Sequence, residues 1–221
     1  MKFIRSLSLA LLLSSVCLTG CEQDSYDSGT GPNSLLQADF VELSVNSEKR
    51  IYQAETDNGT LLSFDHEYQI DWVEKADTSY RAVLYYNLTG GNGTCRPISA
   101  SQIPTLEIIP PHQVKEMKTD PVKLESAWLS KQGKYLNMGL YIMTSETTEE
   151  SPKQKIAIIN ESIRTNTGGK RIAHLTFYHD QNSIPEYYSK KLYVSILCDS
   201  LDCDSICLHI NTYQGIWTKT F

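Results

Sequence analysis

Clustered positive charge is what this 221-residue sequence most lacks. Lys and Arg number 20 against 26 Asp and Glu, for a net charge of −6. Basic residues come at most in adjacent pairs, such as Lys49-Arg50, Lys170-Arg171 and Lys190-Lys191. A chain without a basic stripe gains little from phosphates, so no nucleic-acid partner is expected. Catalytic signatures are missing as well. No serine sits in a Gly-x-Ser-x-Gly elbow, and His66, His112, His174, His179 and His209 are scattered along the chain. His174 and His179, five apart, face opposite sides of a regular strand and cannot hold one metal ion. The pair His179-Asp180 has no nucleophile to activate. Glu146, Glu149 and Glu150 share a Ser/Thr-rich loop, whereas glycoside hydrolysis needs carboxylates held across a cleft. Gly168-Gly169-Lys170 lacks the spaced first glycine and the Ser/Thr of a phosphate loop, so it reads as a hairpin turn. No catalytic residue, metal or cofactor is expected.

Long apolar runs are absent too, apart from one near the start. Lys2 and Arg5 precede a mainly apolar stretch, Leu7 to Val16, far short of the ~20 residues that span a bilayer. Leu18-Thr19-Gly20-Cys21 follows. This is the layout of an export signal, and its last four residues resemble the bacterial lipobox. The resemblance implies cleavage before Cys21 and a thioether link from its thiol to diacylglycerol, the palmitate-type acyl chains serving as the membrane anchor. Loss of residues 1–20 removes Lys2 and Arg5 but no acid, leaving 18 basic and 26 acidic side chains and a net charge of −8. Residues 21–34 are polar, acidic and rich in Gly and Ser, so they read as a flexible tether. Acids directly after the cysteine resemble a surface-export tag. The expected address is the outer membrane, facing outward, with the periplasmic face as the alternative.

Six cysteines are present. With Cys17 removed and Cys21 acylated, Cys95, Cys198, Cys203 and Cys207 remain in a compartment that permits disulfides. Two bridges are expected, with all three pairings open. The rival is a metal site, since His209 lies close to Cys198, Cys203 and Cys207, but the gaps between these cysteines do not match the two-residue knuckles of structural zinc.

What is abundant is strand pattern. Val41-Glu42-Leu43-Ser44-Val45 alternates, and Asp57-Asn58-Gly59 between extended arms marks a tight hairpin. Tyr80 to Leu88, Cys95 to Ile98 and Ile103 to Ile109 are further extended pieces. Pro110-Pro111 gives the best domain boundary, dividing 35–111 from 112–221. Leu124 to Trp128, Tyr135 to Met143, Lys155 to Asn160, Arg171 to His179, Leu192 to Cys198 and Ile206 to Tyr213 then predict an all-β sandwich. A short helical turn fits within Gln181 to Ser189. Alternation places Leu136, Met138 and Leu140 on the core face, with Trp128 closing one end of that core.

Several stretches, in this order and spacing, resemble the NigD-like lipoproteins. They are Asp120-Pro121-Val122 with Trp128, Lys134 to Leu140, His174 to Asp180, and Ile210-Asn211-Thr212-Tyr213. The resemblance implies an OB-like N-terminal barrel followed by a C-terminal antiparallel β-sandwich, lipid anchoring, and no established enzyme activity. The family name adds a suggestion of bacteriocin immunity. One loop invites a ligand: Glu186-Tyr187-Tyr188 follows Pro185, and exposed rings such as Tyr187 and Tyr188 stack on sugars or anchor interfaces. The expected role is therefore a non-catalytic, lipid-anchored binding or interaction module with a protein or glycan partner. Alternatives are an immunity-like lipoprotein that intercepts a toxin, or a surface glycan-binding accessory protein.

Overall fold

A computed structural model describes residues 35–146, 148 and 151–221. The signal segment, Cys21, the tether and the acids Glu149 and Glu150 lie outside the described residues. The described residues form thirteen strands: β1 (Leu36–Val45), β2 (Ile51–Thr56), β3 (Leu61–Tyr68), β4 (Ser79–Leu88), β5 (Thr94–Gln102), β6 (Ile108–Ile109), β7 (Lys123–Leu129), β8 (Tyr135–Thr144), β9 (Lys155–Thr165), β10 (Arg171–Asp180), β11 (Tyr188–Leu197), β12 (Ser205–Thr212) and β13 (Gly215–Thr220). Among the described residues no helix is long and apolar enough to cross a membrane.

The first five strands close a barrel in the order β1-β2-β3-β5-β4. Its β3–β5 pair is parallel, and its other pairs are antiparallel. This is a five-stranded closed barrel of OB type. Period-two alternation builds its interior, with Val41, Leu43 and Val45 from β1 facing Ala82, Leu84 and Tyr86 from β4. The β2–β3 hairpin turns at Asn58-Gly59, where Gly59 takes φ +88°, a backbone region that side chains with a Cβ rarely enter. Tyr86 is buried and donates to Asp39 at 2.8 Å, while the Tyr80 hydroxyl accepts from the Lys75 amide, also at 2.8 Å.

The second half packs a three-stranded sheet, β11-β8-β7, against a five-stranded sheet, β13-β12-β10-β9-β6. Leu136, Met138 and Leu140 of β8 fill the core against Leu175, Phe177 and Leu208. Four details depart from expectation. The sandwich is not wholly antiparallel, since β10 runs parallel to β12 and β6 parallel to β9. Ile108–Ile109 precede the diproline yet pair with Ile158–Ile159 in the sandwich, so the crossover falls earlier, just after Gln102. Residues 181–187 form no helical turn: Asn182 and Ser183 take φ of 50° and 59°, which breaks helical continuity. Finally, β13 completes the sheet beyond Tyr213.

Trp128 also differs. Its ring meets Phe40 of the barrel edge-on, with centroids 5.1 Å apart, and Phe40 meets Tyr193 of β11 at 5.3 Å. Trp128 therefore faces the barrel rather than closing the sandwich core. Beside it Glu42 of β1 accepts hydrogen bonds from Lys134 Nζ at 2.6 Å and the Tyr135 hydroxyl at 2.9 Å.

The disulfide expectation is corrected as well: Cys95, Cys198, Cys203 and Cys207 are all free thiols. The topology explains it. Cys95 is enclosed in the barrel core, whereas Cys198 and Cys203 pack against the sandwich core, so two bridges among the four have no route. Burial pushes both the Cys95 and Cys198 thiols up to about 11.

Candidate functional site

The exposed rings anticipated in the sequence lie at one end of the sandwich. Two loops meet there, one after β8 and one between β10 and β11. The second loop is fixed in detail. Gln181 Nε2 donates to the carbonyls of Met143 and Ile184, both at 2.9 Å, and its amide donates to Asp120 Oδ2 at 2.7 Å. Asn182 donates to the Lys153 carbonyl at 3.0 Å, and the Tyr187 amide to the Thr144 carbonyl at 3.0 Å. Ile184 is buried beneath. Tyr187 is thus held by its backbone while its ring stands 80 % exposed, with Tyr188 at 48 %.

Between the loops lies an open cleft of about 470 Å³ lined by Ile184, Pro185, Tyr187, Tyr188, Pro152 and Glu146. That volume falls in the range of small-ligand sites. Rings and prolines offer flat apolar contact, and Ser145, Ser151 and Ser183 add hydroxyls at the rim. Among the described residues no His, Cys, Lys or Arg lines it, and Glu146 is its one ionisable side chain besides the two tyrosines.

Sequence reasoning missed Tyr213, which is 52 % exposed at the β12–β13 turn. Burial and the neighbouring carboxylates of Glu186 and Asp120 raise its hydroxyl pKa above the ordinary value. Tyr213 also lines a larger groove of about 640 Å³ that runs along β7 between Val122–Ala127 and Trp217–Lys219. The clue was the glycine at 215, a turn residue that predicts both the hairpin and an exposed tip.

Of the other candidates, His179 is buried with Nδ1 3.0 Å from the Asp120 carbonyl and Nε2 3.1 Å from Gln154 Oε1. Neither ring nitrogen is left for a substrate. Gly168-Gly169-Lys170 forms the β9–β10 turn, where Asn166 Oδ1 accepts from the amides of Gly168 and Lys170 at 2.9 and 3.0 Å. Histidines scattered along the chain do come near another donor in space: the donor atoms of His174, Cys207 and His209 lie within 4.8 Å of one another. His174 and His179 do face opposite sides, but the partners of His174 come from the neighbouring strand β12.

Residues 105–220 match the model of the NigD-like C-terminal beta sandwich domain. No curated protein matches the chain. Among solved structures, a NigD-like immunity protein from Bacteroides caccae is similar at 22 % identity and a TM-score of 0.62, over 84 % of this chain and 91 % of that one. A candidate toxin-related protein from Parabacteroides distasonis is similar at 14 % identity and 0.65, over 84 % and 92 %. A candidate lipoprotein from Bacteroides fragilis is similar at 12 % identity and 0.56, over 84 % and 96 %. Likeness at these identities speaks to fold.

Proposed function

The chain belongs to the family defined by the NigD-like C-terminal beta sandwich domain, and on that premise we propose that it is a non-catalytic binding module of the cell envelope. A lipidated Cys21 tethers it to the outer membrane, facing outward, and the ring-bearing end of the sandwich meets a protein or glycan partner. The observation that carries this reading is Tyr187, a large ring 80 % exposed on a loop whose backbone is pinned by hydrogen bonds. An aromatic side chain ordered before binding loses little freedom on contact, which is how such rings become energetic anchors.

The non-catalytic reading is supported by the engaged nitrogens of His179 and by a cleft whose described lining offers no histidine, cysteine or lysine beside its serines. The tether is supported by the order of Lys2, Arg5, Leu7 to Val16 and Leu18-Thr19-Gly20-Cys21. The lipoprotein description of the Bacteroides fragilis neighbour points the same way. Interception of a toxin is the second reading, favoured by the immunity description of the Bacteroides caccae structure; it would use the same surface.

The test places a photoreactive residue at position 187, with exposed Lys49 as control, in cells carrying the full chain. Position 187 should cross-link to a defined partner, and Tyr187→Ala with Tyr188→Ala should weaken that partner's binding by about thirtyfold, the size of a hot-spot loss. Labelling no stronger from 187 than from 49 would remove the surface from consideration. For the anchor, Cys21→Ser should leave an unprocessed precursor; normal processing and membrane retention of that variant would overturn the lipid tether.

A further inference from the structure

The outer face of the five-stranded sheet carries a set of donors that neither the ring-bearing cleft nor the family match accounts for. On β10 and β12, Ala173, Leu175, Ile206 and Leu208 point into the sandwich core. Period-two alternation therefore turns His174, Cys207 and His209 outward together. The two strands are adjacent and parallel, with His174 directly opposite Cys207 and Thr176 opposite His209. Cys207 and His209, two apart on one strand, share a face with the cross-strand His174.

We propose that His174, Cys207 and His209 form a binding site for a transition-metal ion of borderline softness, Zn²⁺ in the first instance. Three observations carry this. First, the donor atoms of all three lie within 4.8 Å of one another, and Cys207 Sγ is 3.6 Å from His209 Nε2. Tetrahedral zinc, with donors about 2.0–2.3 Å away, holds them roughly 3.3–3.8 Å apart. The Cys207–His209 pair already has that separation, and closing the set asks for donor movements of about 1 Å.

Second, the remaining nitrogen of His209 is engaged. Its Nδ1 is 3.0 Å from Thr218 Oγ1 on β13. When Nδ1–H donates to that hydroxyl, the Nε2 lone pair is directed at Cys207, which is how a second hydrogen bond fixes a metal-binding tautomer. Third, His174 and His209 are stacked, with centroids 6.0 Å apart and planes inclined by 11°. Two imidazoles and a thiol are therefore already gathered on a rigid sheet.

The donor set decides the class of ion. One thiolate and two neutral imidazoles suit zinc or copper, while Mg²⁺ and Ca²⁺ require oxygen ligands. Nearby, Thr176 donates to Glu161 Oε1 at 2.6 Å, placing a carboxylate beside the site without making it a ligand. On binding, the Cys207 S–H bond is replaced by a sulfur–metal bond and the proton passes to solvent. Both histidines are half-buried and Cys207 is buried at 8 % exposure, so the ion reaches the site from solvent. Three protein ligands leave a fourth position for water or for a partner's donor.

The test uses the full chain, purified reduced and metal-free, titrated with Zn²⁺ alone by calorimetry. One ion per chain should bind. Cys207→Ser, which preserves size, and His174→Asn, at a half-exposed position, should each weaken binding by about tenfold or more. Cys198→Ser and Cys203→Ser should leave it unchanged. Co²⁺ used as a spectroscopic stand-in should produce a thiolate charge-transfer band that Cys207→Ser abolishes, and the variants' melting curves without metal show that the fold survives. Absence of one-to-one binding, or binding that both Cys207→Ser and His174→Asn retain, overturns the assignment.

Discussion

The guanidinium of Arg81, on β4 of the barrel, donates through Nη2 to Oδ1 of Asn137, on β8 of the sandwich, at 3.0 Å. The pair sits in a closed polar circuit. Asn137 Nδ2 and Arg81 Nη2 both donate to Asp57 Oδ2, each at 2.7 Å. Ser195 Oγ accepts from Arg81 Nε at 3.3 Å and donates to Asn137 Oδ1 at 2.7 Å. Arg81 also lies over the Tyr135 ring, 4.1 Å from its centroid. Its side chain is 2 % exposed and every member is paired, so the circuit holds barrel and sandwich in one orientation.

Removing Arg81 leaves the Asp57 carboxylate with the Asn137 amide but without its counter-charge. Breaking a buried charge pair on one side costs about 3–5 kcal/mol. Arg81→Ala should therefore lower the urea midpoint sharply, with barrel and sandwich still unfolding together if the rest of the junction holds. Arg81→Lys should rescue little, because one ammonium cannot reach Asp57, Asn137 and Ser195 in the geometry of a planar fork. A loss below about 1 kcal/mol for Arg81→Ala would show that the circuit contributes little to stability.

Glu42 sets an acid limit on the same junction. Burial pushes its carboxyl up, but hydrogen bonds from Lys134, Tyr135 and Ser79 outweigh that and hold its pKa below the usual carboxylate value of 4.5. A depressed folded-state pKa gives stability that is present above the unfolded value and lost as pH falls through the folded one. Thermal melting should thus show the native chain and Glu42→Gln furthest apart near neutrality. The gap should close progressively below about pH 4.5. A pH-independent gap would mean that the charge is irrelevant to the junction.

Gly93 closes the barrel. Its φ is +78°, and a Cβ there would press on the Leu61 carbonyl, backbone that cannot swing aside. The Gly93 carbonyl itself accepts from the Ser63 amide at 3.0 Å, beside the parallel β3–β5 contact. Gly93→Ala should therefore destabilise by about 1–3 kcal/mol, the cost of a strained backbone site. Gly169→Ala is its comparison: φ is also +78°, but nothing lies within 4 Å of the added carbon, and the loss should be smaller. Equal losses would assign the whole effect to φ.

All four thiols of the described residues should be countable by denaturing, non-reducing mass spectrometry. In the native state Cys95 and Cys198 should alkylate slowly at neutral pH. Burial raises both to about 11, with Asp65 adding to Cys95, which leaves little thiolate to react. A peptide linked through Cys198 and Cys203 would contradict the free thiols.

Local pattern made much of this protein legible from residues alone. Alternation at Val41–Val45 and at Leu136, Met138 and Leu140 told which side of each strand is apolar, and Asn58-Gly59 told where a chain must reverse. The loop rings of Tyr187 and Tyr188 could be singled out because they follow a proline and belong to no alternating run. Strand period and turn geometry act over a few residues, so the linear order carries them.

What covers the second face of a strand is a different matter. Tyr135 and Asn137 alternate away from the sandwich core, yet both are buried, because the barrel closes over them. Trp128 reads as core and serves the junction for the same reason. The meeting of Tyr213 with Glu186, and of His174 with Cys207 and His209, depends on β12 docking parallel to β10 across more than thirty residues of chain. Sequence alone determined the alternation, the turns and the family. Only the tertiary structure decided which outward faces meet one another, because that choice follows from strand order and sheet packing, which bring together residues that no local period connects.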